Sequence, residues 1–441
     1  MKKKIYIIQP TYRKMDGKKV KGWTQFNHSF NVPLLSGAVP DDWEKISCIE
    51  YFADIDFSTD AGVVILISTG YDIFYTREIA DRFRSKGITI IFGSHLDQFS
   101  EKLLIKSSDS VFHGSPGKAE MKSMLDDAFN GKLQRVYEFG MDLNYPFDYS
   151  SFKGIKMPYI QAIMGMGCKN NCDYCCTAGV YKGKYRMRKL EFVMKDLHAI
   201  SKLNKYVAFT DSNIYNNILY LRRLCNEIIN SKLGIKWGGQ ATIDIGYDDE
   251  TLSVLHEAGC RLLFVGFESL SGENLKYMSK NFNPESYEYL IMKIRSYGIK
   301  IAGYFMFGLD DDNTDTFDKT WEFIRKNNIT FPLLNILLPI PGTAVYDRLK
   351  NENRLTFPDE NKFDNTKPLY SVPCHKCYFK PKNLTTEELG IKYLELYKKA
   401  SRLPAIIRRS LSSSLSESFI YFIMNLGLRK EYSKMKAELI G

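Results

Sequence analysis

Met164-Gly165-Met166-Gly167-Cys168-Lys169-Asn170-Asn171-Cys172-Asp173-Tyr174-Cys175-Cys176 is the stretch that decides how the rest of the chain is read. Cys168, Cys172 and Cys175 stand at spacings of four and three. A short polar loop can turn three thiolates at such spacings toward one soft metal centre, and thiolates select zinc or iron–sulfur clusters. A structural zinc site closes with four ligands, and no fourth ligand sits nearby at an equivalent spacing. Cys176, adjacent to Cys175, is expected to point elsewhere. Three ligands and one gap imply a cluster with one open iron. A zinc loop and three unrelated buried thiols are the competing readings.

Downstream of this loop, strand and helix patterns alternate six times. Apolar strands are read at 159–164, 206–210, 235–239, 261–267, 299–307 and 331–338. Helices with apolar residues at helical spacing are read at 190–203, 217–231, 249–258, 284–297 and 315–327. Six such units predict a partial relative of the β/α barrel, with its active site at the carboxyl ends of the strands. Those ends carry the cysteine loop, then Thr210 to Asn213, Gln240, Gly266 to Ser269, Gly303 to Gly308 with Asp310, and Pro339 to Gly342.

Upstream, continuous apolar runs at 4–9, 62–68, 88–92 and 110–113 alternate with helical patterns at 73–86 and 118–129. This rhythm predicts a doubly wound parallel sheet. Ligands of such sheets sit beyond the strands' carboxyl ends, which points to Thr69, Gly70, Gly93, Ser94, His95 and Gly114. The chain therefore divides into a sheet domain (1–145), a barrel (146–355) and a mainly helical extension (356–441). In the extension, Leu384 to Leu389 opens a helix with a capping box. Cys374 and Cys377 make half a metal site, which Cys48, Cys225 or Cys260 could complete; contact with substrate and two plain loop thiols are the other readings. The segment 406–439 alternates apolar and basic clusters. Packing on the barrel is expected there, ahead of lying on a membrane surface.

Composition sets the bounds. A chain of 441 residues, 44% hydrophobic, can bury more than one core. No apolar run reaches the ~20 residues of a membrane span. Nine cysteines, an odd number, argue against a secreted disulfide scaffold, and an oxygen-sensitive cluster fits the reducing cytoplasm. The net charge of +10 lies at the ends. Residues 1–25 hold eight Lys/Arg and one acid, and residues 401–441 hold seven and three, so residues 26–400 sum to −1. Nucleic-acid binding by the body is not expected.

Cys-x-x-x-Cys-x-Tyr-Cys resembles the signature of radical S-adenosylmethionine (SAM) enzymes. The resemblance implies a [4Fe–4S] cluster on Cys168, Cys172 and Cys175, with SAM chelating the fourth iron and yielding a 5′-deoxyadenosyl radical. It places Asp211 and Asn213 near the aminoacid end of SAM, Gln240, Glu268 and Ser269 near its ribose or methionine portion, and Gly303 to Gly308 near adenine. Arg186 and Arg188 match a paired-arginine stretch near the cluster and the SAM carboxylate. The sheet half resembles the cobalamin-binding domain that precedes the barrel in one large group of these enzymes. It carries Pro33-Leu34-Leu35, Val39-Pro40, Asp54-Ile55-Asp56 and Gly93-Ser94-His95 in matching order. It departs from the pattern at Ser94 and Ser115. There is no Asp-x-His-x-x-Gly; Asp196-Leu197-His198 begins like one but lacks the glycine. No histidine ligand to cobalt is therefore expected.

The resemblance implies a cobalamin-dependent radical SAM methyltransferase acting on an unactivated carbon of a small-molecule, lipid or peptide substrate. An external donor such as flavodoxin or ferredoxin would supply electrons. A radical SAM enzyme performing cyclisation, epimerisation or rearrangement is the alternative, and a zinc-holding interaction protein the non-catalytic one.

Overall fold

Ile5 and Ile7 face one side of the first strand and Tyr6 and Ile8 the other, and all four are buried. A strand covered on both faces belongs inside a parallel sheet with helices above and below. The computed structural model describes residues 2–13, 17–22, 30–67, 73–93, 104–280, 282–356 and 376–440. In it this strand, β1 (Lys4–Gln9), joins β2 (Glu44–Ile49), β3 (Val63–Ile67), β4 (Thr89–Gly93), β5 (Ser110–Ser115) and β6 (Val136–Met141). The order is β2-β1-β3-β4-β5-β6, all parallel. Chain direction across the sheet reverses between β1 and β3, the switch point beside which such sheets take their ligands. The edge strands β2 and β6 escape the sequence reading because half their residues are polar or exposed.

A connector rich in buried aromatics, including Tyr145, Phe147, Tyr149 and Phe152, leads into the second sheet. β7 (Ile160–Ala162) is followed by a short antiparallel hairpin of β8 (Gly165–Gly167) and β9 (Tyr185–Met187). Then come β10 (Tyr206–Phe209), β11 (Lys236–Ala241), β12 (Cys260–Glu268), β13 (Lys300–Phe307) and β14 (Phe331–Ile336). Six of these strands form one parallel sheet in sequence order, from β7 to β14. The helices Leu190–Ser201, Ile218–Asn230, Asp249–Glu257, Tyr287–Ser296 and Thr314–Lys326 alternate with them. Burial alternates along the strands. Gln240, Phe264, Gly266, Tyr304, Met306 and Asn335 are half-buried, while their neighbours Ala241, Val265, Phe267, Phe305 and Phe307 are buried. One face is thus sealed by helices, and the other is an open concavity, as a partial barrel has.

Thr385 and Glu388 form the expected capping box of helix Thr386–Ala400. Tyr393 and Tyr397 of that helix donate to the carbonyl of Leu334 in β14 (2.8 and 3.3 Å). The helices Leu403–Ser410 and Leu415–Ile440 close the chain, and Tyr421, Leu428 and Met435 bury the inner side of the last one. Among the described residues no helix is long and apolar enough to cross a membrane.

Candidate active site

The Met-Gly-Met-Gly run makes the approach to the cysteines. Gly167 has φ +89°, and a Cβ there would stand 2.1 Å from the Lys184 carbonyl, so only glycine lets β8 and β9 close on each other. Asp211, at the end of β10, is buried and accepts from the N–H of Met164 (2.9 Å) and of Gly165 (2.8 Å). Burial lifts its carboxyl to about 7 against those hydrogen bonds. The loop is braced further on: Asp173 N–H donates to Met278 O, and Val345 N–H to Asp173 O.

Cys168 is buried, Cys172 and Cys175 are half-buried, and Cys176 is exposed on helix Cys176–Tyr181, turned away as expected. Burial raises the thiols of Cys168 and Cys172, and the ammonium of Lys280 favours their thiolate forms. Cys168 Sγ accepts from Asn170 N–H at 3.4 Å. Asn216 Oδ1 lies 3.8 Å from that sulfur, and Asn216 Nδ2 is buried with no partner among the described residues. Among those residues no three His, Cys, Asp or Glu gather as a site for a single metal ion. Buried thiols beside a cation and an unused amide donor fit a sulfur-ligated cluster. A metal deprotonates such thiols outright, and hydrogen bonds to sulfur tune iron–sulfur centres.

Glu268 ends β12 with φ +61°, a strained backbone for a residue with a side chain. Its Oε1 accepts from Tyr174 OH (2.9 Å), the aromatic of the cysteine motif, and from Lys280 Nζ (3.0 Å). Lys280 is itself buried and also donates to Gly266 O (2.6 Å). Ser269 Oγ accepts from Asn274 Nδ2 (3.2 Å), which also reaches Asp312 Oδ1 (2.9 Å). Asp312 Oδ2 takes the N–H groups of Gly308 and Leu309. This chain of bonds locks the ends of β12 and β13 together.

The remaining expected residues fall in several places. Gln240 opens onto the concave face, in register with Phe264. Asn213 caps the turn Ile214–Asn216 and reaches Thr242 Oγ1 at 3.4 Å. Gly303 lies on the helix side, where rings of Phe267 and Phe305 take the place of a side chain, and Gly308 (φ +88°) abuts Phe379 and Leu389 of the extension. Arg188 is buried where the loop begins, its backbone N–H donating to Met164 O (2.8 Å). Its guanidinium donates to Asp196 (2.7 Å) and to the carbonyls of Leu143, Tyr145 and Ile163, with Phe147 stacked beneath. Arg186 is exposed and, with Lys182, Lys184 and Met141, lines a cavity of about 260 Å³ where β6 meets the loop.

In the first sheet, Gly93 is filled by the Phe112 ring and Gly114 by the close backbone of Phe139. Thr69, Gly70, Ser94, His95 and Cys374 lie outside the described residues. Cys377 donates to Phe379 O (3.1 Å), with its thiol raised to about 11 by burial. Cys48, Cys225 and Cys260 are core residues. Lys280, Asn216, Asn274 and Asp312 escaped the sequence reading, since single polar residues have no spacing to mark them.

Residues 162–324 match the Radical SAM superfamily. That span is a radical SAM domain. The chain is 28% identical over 386 residues to the bacteriochlorophyllide d C-12(1)-methyltransferase of Chlorobaculum tepidum, covering 83% of this chain and 81% of that protein. Its fold is that of the radical SAM methyltransferase TsrM from Kitasatospora setae, solved with cobalamin and a [4Fe–4S] cluster (TM-score 0.69, 14% identity, 100% of both chains). OxsB, a cobalamin-dependent SAM radical enzyme, shares it with TM-score 0.66 and 11% identity over 98% of this chain and 72% of that one.

Proposed function

We propose that this protein is a cobalamin-dependent radical SAM methyltransferase acting on a carbon of a small organic substrate. The observation that carries the reading is the pairing of two architectures in one chain. A parallel sheet with its switch point between β1 and β3 precedes a six-stranded open barrel whose first strand leads to the cysteine loop. Relatives matching most of the chain, named as methyltransferases, support the same reading.

When bound, the cluster and SAM supply a carbon radical and the corrinoid a methyl group. The chain's own part is to hold and shield. Cys168, Cys172 and Cys175 are the ligands for the cluster. Tyr174, Glu268 and Lys280 fix the loop against β12, so the cysteines are held before any cofactor arrives. Phe264, Tyr304 and Met306, half-buried, give the concavity a largely apolar wall. Lys182, Lys184 and Arg186 at the β6 cleft suit an acceptor bearing an anionic group. A cytoplasmic setting and a flavodoxin- or ferredoxin-type electron donor go with this chemistry.

The test is anaerobic turnover of SAM by reconstituted enzyme with candidate acceptors. Methylated acceptor together with 5′-deoxyadenosine is the expected result. Deoxyadenosine with an unmethylated, rearranged product would replace methyl transfer by the isomerising alternative.

A further inference from the structure

All six strands of the barrel sheet run parallel, so the segments leading into them lie together at one end, opposite the cysteine loop. These segments are 153–159, 202–205, 231–235, 258–259, 297–299 and 327–330. They contain lysines and no Asp or Glu. Lys156, Lys202, Lys205 and Lys232 are exposed there. Residues 26–400 together sum to −1, while at this end the lysines, with Lys236, Arg261 and Lys300 opening the strands, outnumber the acids Glu257 and Glu417.

The last two helices reach the same end. Glu417 pairs with Lys236 at the start of β11 (2.6 Å) and lies 3.7 Å from Arg261 of β12. Lys300, which opens β13, donates to the carbonyl of Leu411 (2.9 Å). Around this anchor, apolar side chains face solvent on both helices: Leu403 and Ile407 on the first, Leu415, Phe419 and Ile423 one turn apart on the last, and Leu411 in the link between them, between 40% and 91% exposed. Arg402 and Arg408 are exposed among them. Behind Phe419 and Ile423 an apolar cavity of about 260 Å³ runs under the strand starts, past Tyr206, Gly238 and Phe264.

We propose that the amino end of the barrel docks on an anionic phospholipid bilayer. Leu411, Leu415 and Phe419 enter the interface, and the lysines of the strand-entry segments face the headgroups. Scattered surface leucines need no explanation. Leu415, Phe419 and Ile423 line one face of the last helix, and beside the exposed lysines they combine the two attractions that hold a protein on a charged interface: buried apolar area and contact with anionic lipid. A polyanion would be served by the lysines alone, whereas Leu415, at 91% exposure, gains from burial against apolar matter, which the bilayer supplies beside its anionic headgroups. Attachment is peripheral and sensitive to salt, and the strand ends that carry the cysteine loop face away from the bilayer.

The experiment is anaerobic flotation of the full chain with two kinds of vesicle, phosphatidylcholine alone or mixed with phosphatidylglycerol. The protein floats with the mixed vesicles at low salt, stays down with phosphatidylcholine alone, and is released by high salt. The double variants Leu415→Ser with Phe419→Ser and Lys202→Glu with Lys205→Glu each lower binding about tenfold or more. Both change exposed side chains, and an unchanged melting temperature confirms the fold. Protein that stays down with mixed vesicles, or binding that both variants leave intact, overturns the proposal. So does sedimentation velocity in which the Leu415/Phe419 variant abolishes self-association while vesicle binding is unchanged, since the face would then join two copies of the chain.

Discussion

In the proposed cluster site Cys168, Cys172 and Cys175 each supply a ligand and Cys176, exposed on the helix that follows, supplies none. Alanine at Cys168, Cys172 or Cys175 should strip the iron of reconstituted protein to background, while Cys176→Ala keeps it; an iron and sulfide assay decides. Equal loss at Cys176 would place the metal elsewhere. Lys280 makes a different case. Its ammonium and the Glu268 carboxylate are both buried, and each compensates the other. Lys280→Met leaves a carboxylate unpaired in a low-dielectric setting, which costs about 3–5 kcal/mol. A denaturant melt of cofactor-free protein should show that loss, Glu268→Gln, which strands the Lys280 ammonium instead, should lose a comparable amount, and Lys280→Met combined with Glu268→Gln should recover much of it. Losses that simply add in the double variant would mean that the two charges do not act as a pair. The contrast also explains what the sequence could show. Three cysteines in eight residues announce themselves by spacing, whereas Lys280 gains its meaning only when folding brings it to Glu268 and Gly266.

Helices and buried strands were legible because each has its own period. The strand Lys4–Gln9 and the helix Lys118–Phe129 emerge with the limits their apolar patterns predict. What stayed hidden were elements defined by a neighbour: the edge strands β2 and β6, and the β8–β9 hairpin, in which Gly165 and Gly167 pair with Met187 and Tyr185. Arg188 shows the same limit. Beside Arg186 it reads as an anion-binding pair, yet it ties helix Leu190–Ser201 to the connector through Asp196 and three carbonyls. Arg188→Ala should therefore lower stability by about 3–5 kcal/mol, and Arg188→Met with Asp196→Leu should recover most of it, both read by thermal melting. A loss of activity with unchanged stability would return Arg188 to the cofactor site. The brace between β12 and β13 has a pH signature. Burial raises Asp312 to about 7, while an unfolded Asp titrates near 4. Between those values the folded chain holds the extra proton, so this contribution is full below about 4 and is lost as pH rises through about 7. Asp312→Asn loses acceptor strength at every pH but escapes the charge penalty. Its deficit in melting temperature against the parent should thus shrink from pH 5 to pH 8, and a deficit independent of pH would sink the assignment.

Two sheets in one molecule give two ligand edges, and they can be unloaded separately. At the first, Gln9 closes β1 beside the switch point, and its Oε1 is buried with no partner among the described residues. An unsatisfied buried acceptor costs about 1–3 kcal/mol. A ligand rich in amide N–H groups at that edge would offset the cost, and a corrinoid's rim of side-chain amides is such a ligand. At the second edge, the sulfurs of the Cys168 loop have no part in the first. Reconstitution of the full chain with iron, sulfide and hydroxocobalamin, followed by desalting, should therefore leave both iron and corrinoid on the protein. Gln9→Leu should keep the iron and lose about tenfold in corrinoid affinity, as 1.4 kcal/mol implies. Cys168→Ala should keep the corrinoid and lose the iron. Loss of both from either variant would mean that the edges fold as one cooperative site. Corrinoid retained in full by Gln9→Leu would move the ligand off β1. Iron without corrinoid on the parent protein would leave the radical chemistry standing and remove the methyl donor, so the isomerising reading would take its place.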